Sequence, residues 1–346
     1  MYAEAPGEST RQGLRETIAT NGDQQILQND RPPLAGTGRC TKQRALMRLK
    51  RASDWRQLFI VAVYLTLLAA MVLVPWCRNV GFLVAACTFS FYVQTVTHNV
   101  QHAPLFESKA LNRGFRFVLS FCGLFPVSSV VPSHNLVHHH FDDDGQPDWA
   151  SPTHARFSWN LLNLLHFPNI IGPITFAAIN RWASVKGRAD YRRGSAQESV
   201  FAFGLTGLLL AWDFWTVLFF VLVPQLWGAR WFLRVNLIQH DGCDVSSEFN
   251  HSRNFSGRLI NWLSVNAGYH TAHHNRPGLH WTELAASHAV EVAPKMHPEL
   301  MQPSLLVYLA RTYLFRVARP AMYSSAAAPV EARSELFDGQ AAGEGS

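Results

Sequence analysis

The sequence predicts an all-α integral membrane protein, with four transmembrane helices in two hairpins and a helical cap on the cytoplasmic side. Of the 346 residues, 48% are hydrophobic and only 16% are charged, which favours one membrane-embedded unit over two soluble domains. Long apolar runs occur in pairs that are separated by short turns. Histidine clusters follow the ends of these runs, where a cap would cover the bundle.

The first hairpin is predicted from two apolar runs of 17 residues each, Leu58 to Val74 and Val80 to Val96. Both are close to the shortest helix that spans a bilayer. Only Pro75 to Asn79 separate the runs, so the link is a tight turn. Basic residues from Arg44 to Arg56 precede the first run. By the positive-inside rule they place the N-terminus, and with it the end of the second run, in the cytoplasm.

The second hairpin is predicted from the apolar stretch Val200 to Val235, which contains Trp212 and Asp213 near its middle. A carboxylate at the centre of one long span is costly, so these two residues are predicted to form a turn between two short spans. The turn would return the chain to the side from which it entered. We therefore expect residues after Val235 to lie in the cytoplasm.

Two further apolar segments are predicted to stay on the cytoplasmic side. The loop from Arg181 to Arg193 is strongly basic and should be cytoplasmic, so the segment Phe157 to Ile179 before it is predicted to be peripheral or re-entrant. Phe115 to Val131 is broken by Gly123 and Pro126, so it could span the membrane or lie in the interface, and we count it as interfacial. Both segments would belong to the cap.

The ends of the chain read as polar tails around one membrane domain. Residues 1–52 are predicted to be disordered, residues 53–322 to form the domain, and residues 323–346 to be a low-complexity tail. No signal peptide is expected, because the first apolar run follows some fifty polar residues. The five cysteines have no CxxC pair, and the basic clusters accompany no nucleic-acid-binding motif. Neither a disulfide framework nor a nucleic-acid partner is expected.

Four clusters of metal-ligating side chains stand after the apolar segments. Neutral imidazole is the commonest nitrogen ligand in proteins, and residues at i, i+3 and i+4 share a helical face. A zinc-protease motif is excluded at the first cluster, since no glutamate follows its first histidine. The candidate ligands are nine histidines and one asparagine: His98, His102, His134, His138, His139, Asn236, His240, His270, His273 and His274.

The predicted topology brings all four clusters to the cytoplasmic side, where they can form one site. Nine imidazoles exceed the coordination of one metal, so two metal ions are expected. Thiolates are absent from the clusters, which argues against a zinc ribbon and an iron–sulfur cluster. A nitrogen-rich site of two metals above an apolar bundle is typical of non-haem iron that activates O2. The bundle would position an alkyl chain below it.

In order and spacing, the boxes HxxxH, HxxxHH, NxxxH and HxxHH resemble those of the membrane fatty acid desaturase family. The last box, Gly268 to His274 followed by Pro277 and Gly278, is especially similar, and the resemblance covers roughly residues 58–300. It implies that the ten candidate ligands surround two iron ions, with Asn236 acting directly or through water. No catalytic side chain beyond the ligands is implied. His140 has no required role in that family, so the choice among His138, His139 and His140 stays open.

The resemblance implies an O2-dependent desaturase that forms a C=C bond in an alkyl or acyl chain, with a fatty acyl lipid as the first expectation. Family members with the same boxes also hydroxylate, form alkynes or ketonise, and some act on small natural products, as in enol-ether formation in rhizobitoxine. No His-Pro-Gly-Gly haem-binding segment is present, so electrons should come from a separate ferredoxin-like or cytochrome b5-like carrier. A metal transporter or sensor is the more distant alternative.

Other polar residues near the boxes are expected to play lesser parts. Acids after the second box, Asp148 among them, could accept hydrogen bonds from ligand N–H groups, whereas Asp143 and Asp144 read as a solvated loop. His280 and His140 could support the ligands from outside. Five isolated histidines are expected to be ordinary residues: His154, His166, His251, His288 and His297.

Overall fold

The computed structural model describes residues 48–140, 148–152 and 161–315. The tail predicted for residues 323–346 lies outside these ranges, as does all of the N-terminal tail except residues 48–52. The described chain is mostly helical, as predicted. Its long helices are α1 Trp55–Leu73, α2 Val80–His102, α3 Lys109–Gly123, α4 Leu161–Ser184, α5 Ala189–Trp212 and α6 Phe214–His240.

Shorter elements form the rest of the described chain. Two helical turns and one π-helical turn follow α3: Val127–Ser129, Val131–Asn135 and His138–His140. After α6 come β1 Asn254–Phe255, α7 Arg258–Leu263, α8 His270–Asn275, α9 Leu284–Ser287, β2 Met301–Gln302 and α10 Leu305–Leu309. The strands β1 and β2 pair in parallel, with Asn254 opposite Met301.

Helices α1 and α2 pack against each other through one buried face. On α1, Ile60, Tyr64 and Leu68 recur every fourth residue and are buried, as are Val93 and Val96 on α2. This spacing aligns side chains along one helical face, whose burial against α2 removes apolar area from contact with the surroundings. The remaining faces keep many large apolar side chains exposed, as expected where lipid replaces water.

The two predicted turns lie at the same end of the helices. Arg78 follows α1 and donates to the carbonyl oxygens of Met71 at 3.0 Å and Val72 at 2.8 Å, which α1 itself leaves without donors. Asp213 separates α5 from α6 and accepts a hydrogen bond from the Thr216 amide at 3.2 Å. The Arg78 guanidinium lies 4.0 Å from the Asp213 carboxylate. Asp213 is therefore the single residue between the end of α5 at Trp212 and the start of α6 at Phe214.

Four described helices are long and apolar enough to cross a membrane: Ala52–Leu73, Val80–His102, Leu161–Ser184 and Phe214–His240. This set differs from the predicted one, because it contains α4 and lacks α5. The first half of α5 is charged, and its Glu198 is buried against Arg116 at 3.2 Å and the Ser128 amide at 2.8 Å. Segments Lys109–Gly123 and Val127–His140 meet at 90°, as a broken span or re-entrant loop.

Helix α4 is unbroken from Leu161 to Ser184, so the segment does not form the re-entrant turn that was one of its two predicted forms. It contains Pro168 and Pro173, and Pro168 has no N–H to donate to Leu164 four residues earlier. The buried Arg234 of α6 supplies the missing donor at 3.1 Å to the Leu164 oxygen, and it also donates to the Leu165 oxygen at 3.1 Å. A tertiary contact thus satisfies the backbone that proline frees, which the local sequence does not reveal.

Candidate metal centre

The first cluster stands on the last turns of α2. His98 and His102 are one helical turn apart, so both rings project from the same face of the helix, and their centroids lie 5.2 Å apart. The π-helical turn Val131–Asn135 brings His134 against them, with a centroid distance of 4.4 Å to His98. This turn follows the bend after α3, so a short element supplies the third ring to a pair carried by a long helix.

The histidines of the second box point to two different parts of the site. The helical turn His138–His140 rotates each residue by roughly a third of a turn from the one before it, so adjacent rings diverge. His138 is buried and faces His240 at 4.7 Å between centroids. His139 faces His102 at 4.7 Å. His140 is exposed and belongs to neither set.

Helix α8 carries the last box, and its position depends on buried polar contacts. The Thr271 amide donates to Asn254 at 3.0 Å, and the Asn254 side chain donates back to the Thr271 hydroxyl at 2.8 Å. Arg253 donates to the carbonyl oxygens of Ile238 and Asp241 at the end of α6. The segment before α8 therefore ties it to the end of α6, where His240 stands.

The histidines converge into two adjacent groups, within each of which one ring nitrogen per residue lies within 4.8 Å of the others. We call them the five-histidine group, which contains His98, His102, His134, His139 and His273, and the four-histidine group, which contains His138, His240, His270 and His274. The rings of His139 and His274 are 4.4 Å apart and join the two groups. All nine predicted histidines lie in these groups, with no other described residue.

Two ligand candidates are oriented by acceptors behind them. His138 Nδ1 lies 2.7 Å from an oxygen of the buried Asp148 carboxylate. His240 Nδ1 donates to the carbonyl oxygen of His251 at 3.0 Å. Such contacts hold a ring in the tautomer that leaves Nε2 as the lone-pair donor. Both Nε2 atoms are then available to the four-histidine group.

The donor set fits metal ions better than it fits hydrogen bonding among the rings. Nε2 of His98, His102 and His273 is buried and has no hydrogen-bond partner among the described residues. Nε2 of His240 and Nε2 of His270 approach to 2.8 Å. Two neutral rings share at most one proton in such a contact, whereas a metal ion accepts a lone pair from each ring. The residues present therefore fit a nitrogen-ligated metal, iron included.

Electrostatics of the cap favour the neutral, ligating form of these rings. Burial lowers the pKa of His134, His270, His273 and His274 well below the ordinary value, and neighbouring imidazoles lower each pKa further. Burial also lowers the pKa of His139. The rings are unprotonated at neutral pH, which is the state that a metal requires.

An apolar cavity of about 100 Å³ lies beside both groups. Rings of His98, His134, His138 and His270 form part of its wall, and Phe91, Phe232 and Leu233 are among its apolar lining. Asn236 also lines it and donates its Nδ2 to the Ala150 carbonyl oxygen at 2.6 Å. A ligand in this cavity would therefore rest directly against the histidines.

Two histidines near the site make contacts that the sequence did not predict. His251 was expected to be ordinary, yet its carbonyl oxygen orients His240 and its own ring is buried 5.3 Å from that of His274. His280 binds Asp54 at 3.0 Å and not a metal-ligand ring, and Trp281 donates to the same carboxylate at 2.8 Å. Asp142, Asp143, Asp144 and His154 lie outside the described residues.

The fold and this site define a class, namely helical proteins with several candidate membrane spans and a histidine-rich metal-binding site. The family model for fatty acid desaturases matches residues 73–303, which is more than half of the chain. This protein belongs to the fatty acid desaturase family, as the resemblance predicted. It is accordingly an oxidoreductase and a multi-pass membrane protein. No curated protein matches the chain directly.

Proposed function

We propose that this protein is an O2-dependent desaturase that introduces a C=C bond into an alkyl or acyl chain at a di-iron centre. Fatty acyl lipids are the first substrate class to test. The observation that carries the proposal is the sorting of nine histidines into two groups beside an apolar cavity. Membership of the desaturase family supports the reaction type.

Each histidine group would hold one iron ion, with Asn236 beside the four-histidine group acting directly or through water. Bound iron would supply the capacity to activate O2 for attack on an unactivated C–H bond. The overall reaction balances when the substrate loses two hydrogens and O2 becomes two molecules of water. Two protons and two electrons must then come from outside the substrate. We propose a separate ferredoxin-like or cytochrome b5-like protein as the electron carrier.

The protein's own residues would position the substrate and the ligands. Asp148 and the His251 carbonyl hold two rings of the four-histidine group, so their nitrogens stay aimed at one point. The apolar wall formed by Phe91, Phe232 and Leu233 would exclude water and hold a chain with one C–H bond facing the histidines. Positioning of this kind accounts for much of the rate gain that a protein can add.

We further propose four spans in two hairpins, α1 with α2 and α5 with α6, with the site and both termini in the cytoplasm. Two observations support this arrangement. Arg78 and Asp213 lie near each other at one end of the helices, while His102 and His240 end α2 and α6. The basic residues that precede α1 favour the cytoplasm for the histidine end. Accessibility of single engineered cysteines at the exposed positions 76 and 278 to an impermeant thiol reagent would test the sidedness.

Iron content and product mass test the central proposal. The purified protein should hold about two irons per chain, as expected for two separate ligand groups. His273→Ala should remove iron from the five-histidine group and His274→Ala from the four-histidine group, and both should abolish product formation. His140→Ala is the matched control and should keep both irons, because His140 lies outside the groups. A protein that holds one zinc ion and no iron would refute the proposal.

Mass spectrometry of products in an expressing host distinguishes the reactions that this site can support. A product that has lost two hydrogens identifies desaturation. A product that has gained one oxygen identifies the same scaffold as a hydroxylase, and a ketone would identify a ketolase. Comparison of cells with and without the gene reveals the substrate, whether an acyl lipid or a small natural product.

A further inference from the structure

Gln94 is a buried amide near the histidine end of a candidate membrane span. It lies on α2, within the apolar run that ends at Val96, and it is only 1% exposed. Neither Oε1 nor Nε2 has a hydrogen-bond partner among the described residues. An amide that is buried without partners is costly, and in a membrane-spanning segment polar side chains are usually functional. The Gln94 amide therefore requires a hydrogen-bonding partner.

The amide belongs to the wall of the cavity beside the histidines. Gln94 lines this cavity and precedes His98 by one helical turn, which separates the two backbone positions by roughly 6 Å along α2. Other polar side chains in the wall already have acceptors. Thr95 donates to the Tyr92 oxygen at 2.7 Å, and Thr175 to the Trp149 oxygen at 3.1 Å. Gln94 is thus a wall residue whose hydrogen-bonding capacity is unused.

A second buried glutamine shows what a structural role looks like in this bundle. Gln225 on α6 is fully buried, and its Nε2 donates to the Phe121 carbonyl oxygen at 2.7 Å and approaches the Thr206 hydroxyl at 3.4 Å. That amide fastens α6 to α3 and α5, and it does not line the cavity. Gln94 makes no comparable contact, so a structural tie does not explain it.

We infer that Gln94 binds an uncharged polar group of the substrate, a hydroxyl or an amide, that lies a few bonds from the carbon facing the histidines. This inference rests on the proposed function, and it narrows the class of substrate that the same site would bind. A glutamine amide donates and accepts, so it matches a hydroxyl or an amide, which do both. No Lys, Arg, Asp or Glu appears among the described residues of the wall, so an ionised group would lack compensation.

The size of the cavity agrees with a functionalised chain segment. Its volume of about 100 Å³ is enough for several non-hydrogen atoms. A segment in the cavity could contact both the histidines and Gln94, because both line it. A plain hydrocarbon segment would leave the amide unpaired, whereas a hydroxylated or amide-bearing one would pair it. The site should discriminate between the two.

The test compares two probes of equal size, 1-octanol and n-nonane, on the iron-loaded full chain in one detergent. Gln94→Leu should weaken 1-octanol binding about three- to tenfold, the effect of one hydrogen bond, and should leave n-nonane binding unchanged or tighter. Each probe is compared between proteins, so its partitioning into detergent cancels. Gln225→Leu is the matched control and should leave the relative affinities of the two probes as in the wild type. Equal effects of Gln94→Leu on both probes would overturn the inference.

A second variant keeps the test decisive if Gln94→Leu does not fold. Gln94→Met retains an unbranched side chain and removes the unpaired amide, so it should raise the unfolding temperature without ligand while weakening 1-octanol binding. A fall in unfolding temperature with unchanged 1-octanol binding would show a structural role and overturn the inference. Neither probe needs turnover. Iron content and product mass therefore decide the proposed function separately from the probe measurements.

Discussion

Gly268→Ala should disrupt the last histidine box, although the change adds a single methyl group. The Gly268 amide donates to the Asn261 side-chain oxygen at 3.1 Å, and its carbonyl oxygen accepts from the Phe255 amide at 2.8 Å. An added Cβ would overlap both the Phe255 carbonyl oxygen and the Asn261 side-chain oxygen. The first of these is backbone and cannot turn aside, so the chain near β1 or α8 must shift.

We expect the shift to cost about 1 to 3 kcal/mol of stability, the usual range for a methyl group forced into a packed interior. The unfolding temperature should fall by several degrees. Gly268 is two residues before His270, so the displacement should also move the α8 rings away from both histidine groups. Iron content of the purified variant should therefore fall together with its unfolding temperature.

Gly278→Ala is the matched control for this prediction. A Cβ at Gly278 meets no atom within 4 Å, and this glycine also follows the box closely. Its unfolding temperature and iron content should match those of the wild type. Equal values for the Gly268 and Gly278 variants would refute the packing argument.

Three further predictions follow from the contacts of the cap. Asp148→Asn leaves His138 without its carboxylate acceptor, so the metal affinity of the four-histidine group should fall about 10- to 100-fold. Metal titration measures this affinity, and an unchanged value would contradict the prediction. Below about pH 6.5 the unfolded chain binds protons that buried His270 and His273, whose pKa values burial lowers, do not bind. The free energy of unfolding of the metal-free protein should therefore decrease as the pH is lowered below about 6.5, measured by chemical denaturation. A free energy that does not change with pH would contradict this. Arg234→Met removes the side-chain donors of two carbonyl oxygens near Pro168 and should destabilise the protein by about 1 to 3 kcal/mol, measured by thermal unfolding. Arg230→Met is the control. Equal stability of the two variants would count against the explanation.

Much of the helical framework could be predicted, because apolar runs and their turns are local properties of the chain. The turns before Val80 and at Asp213 were found from short polar interruptions alone. Helix α4 was harder, because proline and asparagine normally indicate a break. Arg234, which lies far along the chain, donates to the carbonyl oxygen that Pro168 leaves without its usual donor.

The sequence by itself determined which side chains can act as ligands, since the spacing of each box decides which rings share a helical face. Only the tertiary structure decided how these rings divide. His138 and His139 are adjacent in the chain and enter different groups, while His98 and His273 are distant and enter the same one. The physical reason is that spacing controls direction over one or two turns. Distances between rings of different elements depend on how α2, α6 and the cap pack together.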